Sequence, residues 1–230
     1  MRYLIIGLGI YGSNLARDLT DKGHEIIGAD NRKTNVDAIK DYISTVYLID
    51  ATEETSLSLL PLNNVDIVIV AIGENFGASV KVVALLKKLK VKHIYARAID
   101  PLHESILESF NLDRIITPEQ RAARDLSNEM SLGAKVQTLS VDDEYFVMKF
   151  SVPEHLYGRK YYDLKLESDY GLKIVALTRH TSATNMFGIS HPRPKLIQIE
   201  PDTVATIGDV LTCFGRKRDY THFDNQIDSL

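Results

Sequence analysis

The chain has 230 residues, 44% hydrophobic and 25% charged, with a formal net charge of −4 at pH 7, an ordinary globular composition. That acidic balance argues against a non-specific nucleic-acid binder, which carries a strong basic excess, and no apolar run approaches the roughly 20 residues that span a bilayer. Cys213 is the only cysteine, so no intrachain disulfide forms and a reducing cytosol suits the chain.

A strand signal opens the chain at Tyr3–Ile6, which leads us to expect no signal or transit segment. It breaks into Gly7-Leu8-Gly9-Ile10-Tyr11-Gly12, and a helix-compatible segment, Ser13 to Lys22, follows at once. A buried strand that turns into a helix through three glycines is how a doubly wound fold holds a dinucleotide. Gly7 allows the tight turn, Gly9 lets backbone N–H groups approach a pyrophosphate, and Gly12 lets helix and strand pack closely. The helix N-terminus adds unpaired N–H donors and a partial positive charge. The next apolar run, Glu25 to Ala29, ends in Asp30, where a carboxylate accepts bonds from the adenosine ribose hydroxyls. Asp30 disfavours a 2′-phosphate, so NADP is not expected. Arg32 bears on the same choice, since an arginine nearby accommodates that phosphate.

Further strand signals lie at Thr45–Ile49, Val65–Ile72, His93–Ala98 and Arg114–Ile116. They are short and nearly continuous in apolar residues, as strands buried on both faces of a parallel sheet are. Between them run amphipathic stretches. The clearest, Phe76 to Lys90, puts Val80, Val83, Ala84 and Leu86 on one side and Lys81, Lys87 and Lys88 on the other. Six strands and five crossovers predict an α/β fold, a Rossmann-like doubly wound parallel sheet ending near Ile116. Its strand ends carry polar residues. Asp50, before Ala51, is either an acceptor for the adenine amino group or a helix-terminal acid. Gly73 lets backbone approach a ligand or makes a plain turn. Arg97 pairs with a phosphate or makes a structural ion pair. Glu119 is a first-turn helix acid or faces a bound cation.

Pro118 starts a helix running to about Met130, with Gly133 as its terminator. We place the domain boundary there, with residues 1–133 as the nucleotide-binding domain and 134–230 as a small α+β domain. Val136–Val141 and Tyr145–Val152 flank Asp142-Asp143-Glu144 and predict a hairpin. A helix is expected over Tyr161–Leu166, and strands over Lys173–Thr178, Leu196–Ile199 and Val210–Gly215. Residues 180–195 lack a period and carry two prolines and a glycine, so they read as a mobile loop.

No catalytic constellation emerges. The seven histidines show no close metal-ligand spacing, no nucleophile elbow is present, and Cys213 reads as a small buried hydrophobe. A sensor fits better than an enzyme. A small NAD-dependent oxidoreductase is the alternative, and a transcription regulator is weaker because no basic recognition helix is evident.

Together these residues resemble the regulator-of-potassium-conductance (RCK) family, the Ktr/Trk-type cytosolic subunits of bacterial potassium uptake systems. The resemblance rests on Ile5–Gly12, Gly28-Ala29-Asp30, Asp50-Ala51-Thr52, Val70-Ala71-Ile72-Gly73 and Asp113–Glu119. In the second half it rests on Gly158–Leu164, Tyr170–Arg179 and Ile207–Leu211. It implies dimers and an octameric ring docked on a membrane-embedded potassium transporter at the inner face of the cell membrane, gated by an adenine nucleotide, ATP/ADP or NAD/NADH. It implies no enzymatic turnover. The carried-over site comprises Gly7, Gly9, Ile10, Tyr11, Gly12, Asp30, Asn31, Arg32, Asp50, Ala51, Ala71, Ile72, Gly73 and Arg97, with Glu119 matching an acid associated with a divalent cation. Ile10 stands where such members often carry an arginine toward a γ-phosphate, so NAD or NADH stands beside ATP and ADP. Glu167 stands near the position of an arginine used for cyclic di-AMP, which is therefore not expected to bind.

Overall fold

Strands and helices alternate strictly through the first half of this computed structural model, which describes residues 1–132, 136–184 and 190–227. In chain order they are β1 (Arg2–Ile6), α1 (Ile10–Asp21), β2 (Glu25–Asp30), α2 (Lys33–Ile39), β3 (Thr45–Leu48), α3 (Glu54–Leu57), β4 (Ile67–Val70), α4 (Phe76–Lys88), β5 (Ile94–Arg97), α5 (Pro101–Glu108), β6 (Arg114–Ile116) and α6 (Pro118–Ser131). The six strands form one parallel sheet in the order β3-β2-β1-β4-β5-β6, the doubly wound arrangement expected from the sequence. Its order reverses between β1 and β4, which opens a crevice at their C-terminal ends.

Successive strand residues point to opposite faces, and the core divides accordingly. Leu4, Ile6, Ile27, Val68 and Val70 pack under α4 with Val82, Val83 and Leu86. Ile5, Ile26 and Ile69 pack on the other side with Ala16 of α1 and Ile39 of α2. Each such aliphatic side chain, fully buried, contributes roughly 1.5–3 kcal/mol, which is why these short strands hold without alternation. In α4 the buried face is Ser79, Val82, Val83 and Leu86. The expected stripe is shifted there: Val80 is half-buried and Ala84 exposed, because the rotation at which the helix docks on the sheet, and not apolar content alone, chooses which side chains are covered. Asp100 caps α5 by accepting from the His103 N–H at 2.7 Å, with Pro101 in the first turn.

The chain divides into two compact units, Met1–Gln120 and Arg121–Leu230. The second contains β7 (Val136–Ser140), β8 (Tyr145–Ser151), α7 (Leu166–Tyr170), β9 (Lys173–Thr184), β10 (Ser190–Ile197), β11 (Asp209–Arg216) and α8 (Lys217–Ile227). Its antiparallel sheet runs β10-β9-β11-β8-β7. The β7–β8 hairpin forms as expected. Asp142 Oδ1 accepts from the Glu144 and Tyr145 N–H groups at 2.8 and 2.7 Å, closing the polar turn. Phe150, Tyr220 and Phe223 cluster in the core, with Phe150 and Tyr220 edge to face and Phe223 tilted against both. Cys213 is buried on β11, and burial pushes its thiol up to about 12.

Two further expectations need correction. Over Tyr161–Leu164 the chain makes a 3₁₀ turn, left-handed Lys165 (φ 47°) follows, and the helix begins only at Leu166. Residues 180–195 are not a loop over their described part: 180–184 and 190–195 pair within β9 and β10, with Pro192 opposite Ser182 and Pro194 opposite His180. The prolines are tolerated because β10 is an edge strand and they lie two apart, in the same phase of the ladder. Their missing N–H groups can therefore both lie on the unpaired side. Residues 185–189 fall outside the described residues, as does Gly133. Among the described residues no helix is long and apolar enough to cross a membrane.

Candidate functional site

A cleft of about 780 Å³ lies within the first unit, lined by the ends of β1 to β5 and the segments that follow them. Open parallel sheets bind ligands at this switch point, and the volume falls in the range of small-molecule sites.

The turn after β1 forms its floor. Gly7, at φ +97°, donates its N–H to the Ala29 carbonyl at 2.8 Å. That conformation is strained for any residue with a Cβ, and a Cβ there would also crowd Ile72 and Ala71. At Gly9 a Cβ would meet no atom within 4 Å, so packing does not demand glycine and the open space belongs to the cleft. Gly9 is the N-cap of α1 without a side-chain capping bond. The first N–H groups of the helix have no partner within it, and its positive end points into the cleft. Gly12 does not line the cleft. A Cβ on it would strike the Gly7 carbonyl oxygen, so its role is the close contact between α1 and the strand.

Asp30 ends β2 and is buried, at 9% exposure. Oδ2 accepts from the Leu8 N–H at 2.7 Å and from Asn35 Nδ2 at 3.1 Å, and Oδ1 accepts from the Arg32 N–H at 2.8 Å. An ionised carboxylate has about four acceptor positions, which leaves capacity for a ribose hydroxyl. Asn31 and Arg32 continue along the rim, where the Arg32 guanidinium pairs with Glu74 on the segment after β4. Asp50 follows β3 and does not cap α3, whose N-cap is Glu53. Its Oδ1 accepts from the Thr52 N–H at 2.9 Å and the Thr52 hydroxyl at 2.8 Å. Those two bonds hold its carboxyl below the usual range.

Ala71, Ile72 and Gly73 leave β4 along the wall. A Cβ on Gly73 would lie 2.5 Å from Arg97 Nη1, so this glycine makes room for the guanidinium rather than for a ligand. Arg97 reaches in from β5, pairs with Glu119 in the first turn of α6, and lies 5.4 Å from the centroid of the Tyr11 ring. Its Nε is buried without a partner. Burial pushes the Tyr11 phenol up, against the pull of Arg97 and Arg114. Among the described residues no group of three or more His, Cys, Asp or Glu could hold a metal ion. A divalent cation at Glu119 thus fits only with phosphate oxygens completing its shell.

The cleft therefore gathers every expected residue except Gly12. It adds polar residues that sequence reasoning did not assign, among them Asn35, Thr52, Glu74, and Asn75, which caps α4 by accepting from the Ala78 N–H at 3.0 Å. Asn75 carried a readable N-cap signal ahead of an amphipathic run, whereas Asn35 and Glu74 find partners only through the fold.

A sequence model of the TrkA-N domain matches residues 3–118, the whole Rossmann-like sheet. The chain belongs to the TrkA-N family. The similarity continues beyond that domain. Ktr system potassium uptake protein A of Bacillus subtilis is 28% identical over 98% of this chain and 96% of its own length. Ktr system potassium uptake protein C of the same organism is 31% identical over 77% of this chain and 80% of its own. The GsuK channel shares the fold over 98% of this chain with a TM-score of 0.64 at 15% identity, and this TrkA-N chain spans 39% of that channel's length. The fold match thus extends through the second unit.

Proposed function

We propose that this TrkA-N protein is a cytosolic, nucleotide-binding gating subunit of a potassium transport system, and that it performs no chemistry. The observation that carries the reading is the cleft itself. Unpaired N–H donors at the start of α1 face a wall bearing Asp30, which keeps acceptor capacity, and the cationic Arg97. Donors suit a phosphate and the carboxylate suits a ribose, the two polar ends of an adenosine phosphate. Phosphates lie against Gly7, Gly9 and Arg97, ribose at Asp30, and adenine toward Asp50 and Ala51. The ligand is ATP/ADP or NAD/NADH, and any divalent cation bridges its phosphates to Glu119. The potassium system comes from the near full-length similarity to Ktr protein A and the match to Ktr protein C over 77% of this chain.

Residues 134–230 form a second ligand-binding domain in this reading, and the chains assemble as dimers into an octameric ring docked on a membrane-embedded transporter. The exposure of Leu126 and Met130 on α6, a helix with no buried residue, supports self-association. Nucleotide binding shifts the ring between two shapes by differential affinity, and the transporter follows.

The test is calorimetric titration of the full chain with ATP, ADP, NAD and NADH, together with light scattering and NADH absorbance in the presence of carbonyl substrates. Saturable binding, a ring-sized mass and constant absorbance are expected. Steady NADH consumption by a monomer or dimer would establish the oxidoreductase instead, and no affinity for any of the four would remove the nucleotide.

A further inference from the structure

We propose that Glu74 selects against 2′-phosphorylated adenosine ligands by tying Arg32 across the mouth of the cleft. The inference rests on the adenosine-nucleotide reading above. Arg32 follows β2 and Glu74 follows β4, two strands separated only by β1, so their ion pair spans the crevice where the sheet order reverses. Both residues line the cleft. The Arg32 backbone is pinned to the ribose carboxylate, its N–H donating to Asp30 Oδ1 at 2.8 Å. Its guanidinium therefore starts two residues beyond the group that reads the ribose hydroxyls. An arginine in that place is what accommodates a 2′-phosphate, because its planar fork matches phosphate oxygens in pairs.

Here the fork is engaged by a carboxylate. A 2′-phosphate arriving beside Asp30 has to displace Glu74 from Arg32 and stay near both negative charges. An unphosphorylated ribose meets neither obstacle. The discrimination thus comes from an unfavourable contact with the wrong ligand rather than an added contact with the right one. The pair is open to water, with Arg32 and Glu74 side chains 55% and 76% exposed. It is accordingly weak and screened by salt, and it tunes a ratio of affinities.

The test uses the full chain at low ionic strength and two ligand pairs that differ only at the 2′ position: NAD against NADP, and AMP against adenosine 2′,5′-bisphosphate. The native chain is expected to prefer the unphosphorylated member of each pair. Glu74→Gln should raise the relative affinity for the phosphorylated member by about fivefold in both pairs, the scale of releasing an exposed ion pair. Adding Arg32→Gln to that variant should return the ratio to its native value. A ratio that ignores Glu74→Gln, or that stays shifted in the double variant, overturns the clasp while leaving the nucleotide site standing. A native chain that binds neither member of either pair overturns the clasp, and the nucleotide reading falls with it when ATP, ADP and NADH fail to bind as well.

Discussion

Asp30 carries three hydrogen bonds before any ligand arrives, and one of them holds the Leu8 N–H inside the glycine turn. It therefore acts twice, as an acceptor for ribose and as a clamp on the loop that faces phosphate. Asp30→Ala should weaken adenine-nucleotide binding about tenfold or more, since a hydrogen bond to a charged group contributes roughly 1.5–3 kcal/mol. Titration calorimetry reads this directly, and unchanged affinity would remove Asp30 from the site. Gly12 acts only through packing. In Gly12→Ala the new methyl meets the Gly7 carbonyl oxygen and α1 has to move off β1. We expect a loss of roughly 1–3 kcal/mol, typical of overpacking, seen as a lower urea midpoint. Equal midpoints for the two proteins would mean that α1 shifts without cost.

At the level of elements, the second unit is tied by a buried polar group. Asp209, 1% exposed at the start of β11, accepts from Arg179 Nε on β9 at 2.6 Å, from the Tyr161 hydroxyl at 2.8 Å and from the Thr206 N–H at 2.9 Å. Burial pushes its carboxyl up, but Arg179, the Thr206 N–H and the Tyr161 hydroxyl together hold it below its ordinary range. A depressed carboxyl stabilises the fold above the unfolded value, about 3.9 for Asp, and that stability disappears as pH falls through the lower folded value. Denaturant midpoints should thus drop as pH falls below about 4. Asp209→Asn should flatten that acid limb and cost roughly 2–3 kcal/mol at neutral pH, less than breaking a fully buried pair because Arg179 is 30% exposed. An acid limb identical in both proteins would assign it to other carboxylates. The β9–β10 hairpin belongs to this scale too. Its prolines read as loop punctuation in isolation, and only the position of β10 at a sheet edge admits them.

For the whole molecule, a ligand that binds only the folded cleft must stabilise the unit that contains it. At a hundredfold excess over its dissociation constant a nucleotide adds about 2.7 kcal/mol, so NAD or ATP should raise the unfolding midpoint of the first unit with rising concentration. A midpoint that does not move with a nucleotide shown to bind would mean that the ligand sits elsewhere. Much of this molecule is local in origin. Short apolar strands, the Gly7-x-Gly9-x-x-Gly12 turn and a carboxylate at the next strand end are written within a few residues of one another. Backbone conformation and side-chain periodicity respond at that range, so the strands themselves, the class of the first sheet and Asp30 were legible in the sequence alone. The contacts that decide chemistry are of another kind. Arg32 meets Glu74 across 42 residues, Arg97 meets Glu119 across 22, and Arg179 meets Asp209 across 30. Each partner arrives by a crossover or a neighbouring strand that no local pattern encodes, so the tertiary fold alone decided which charges are paired.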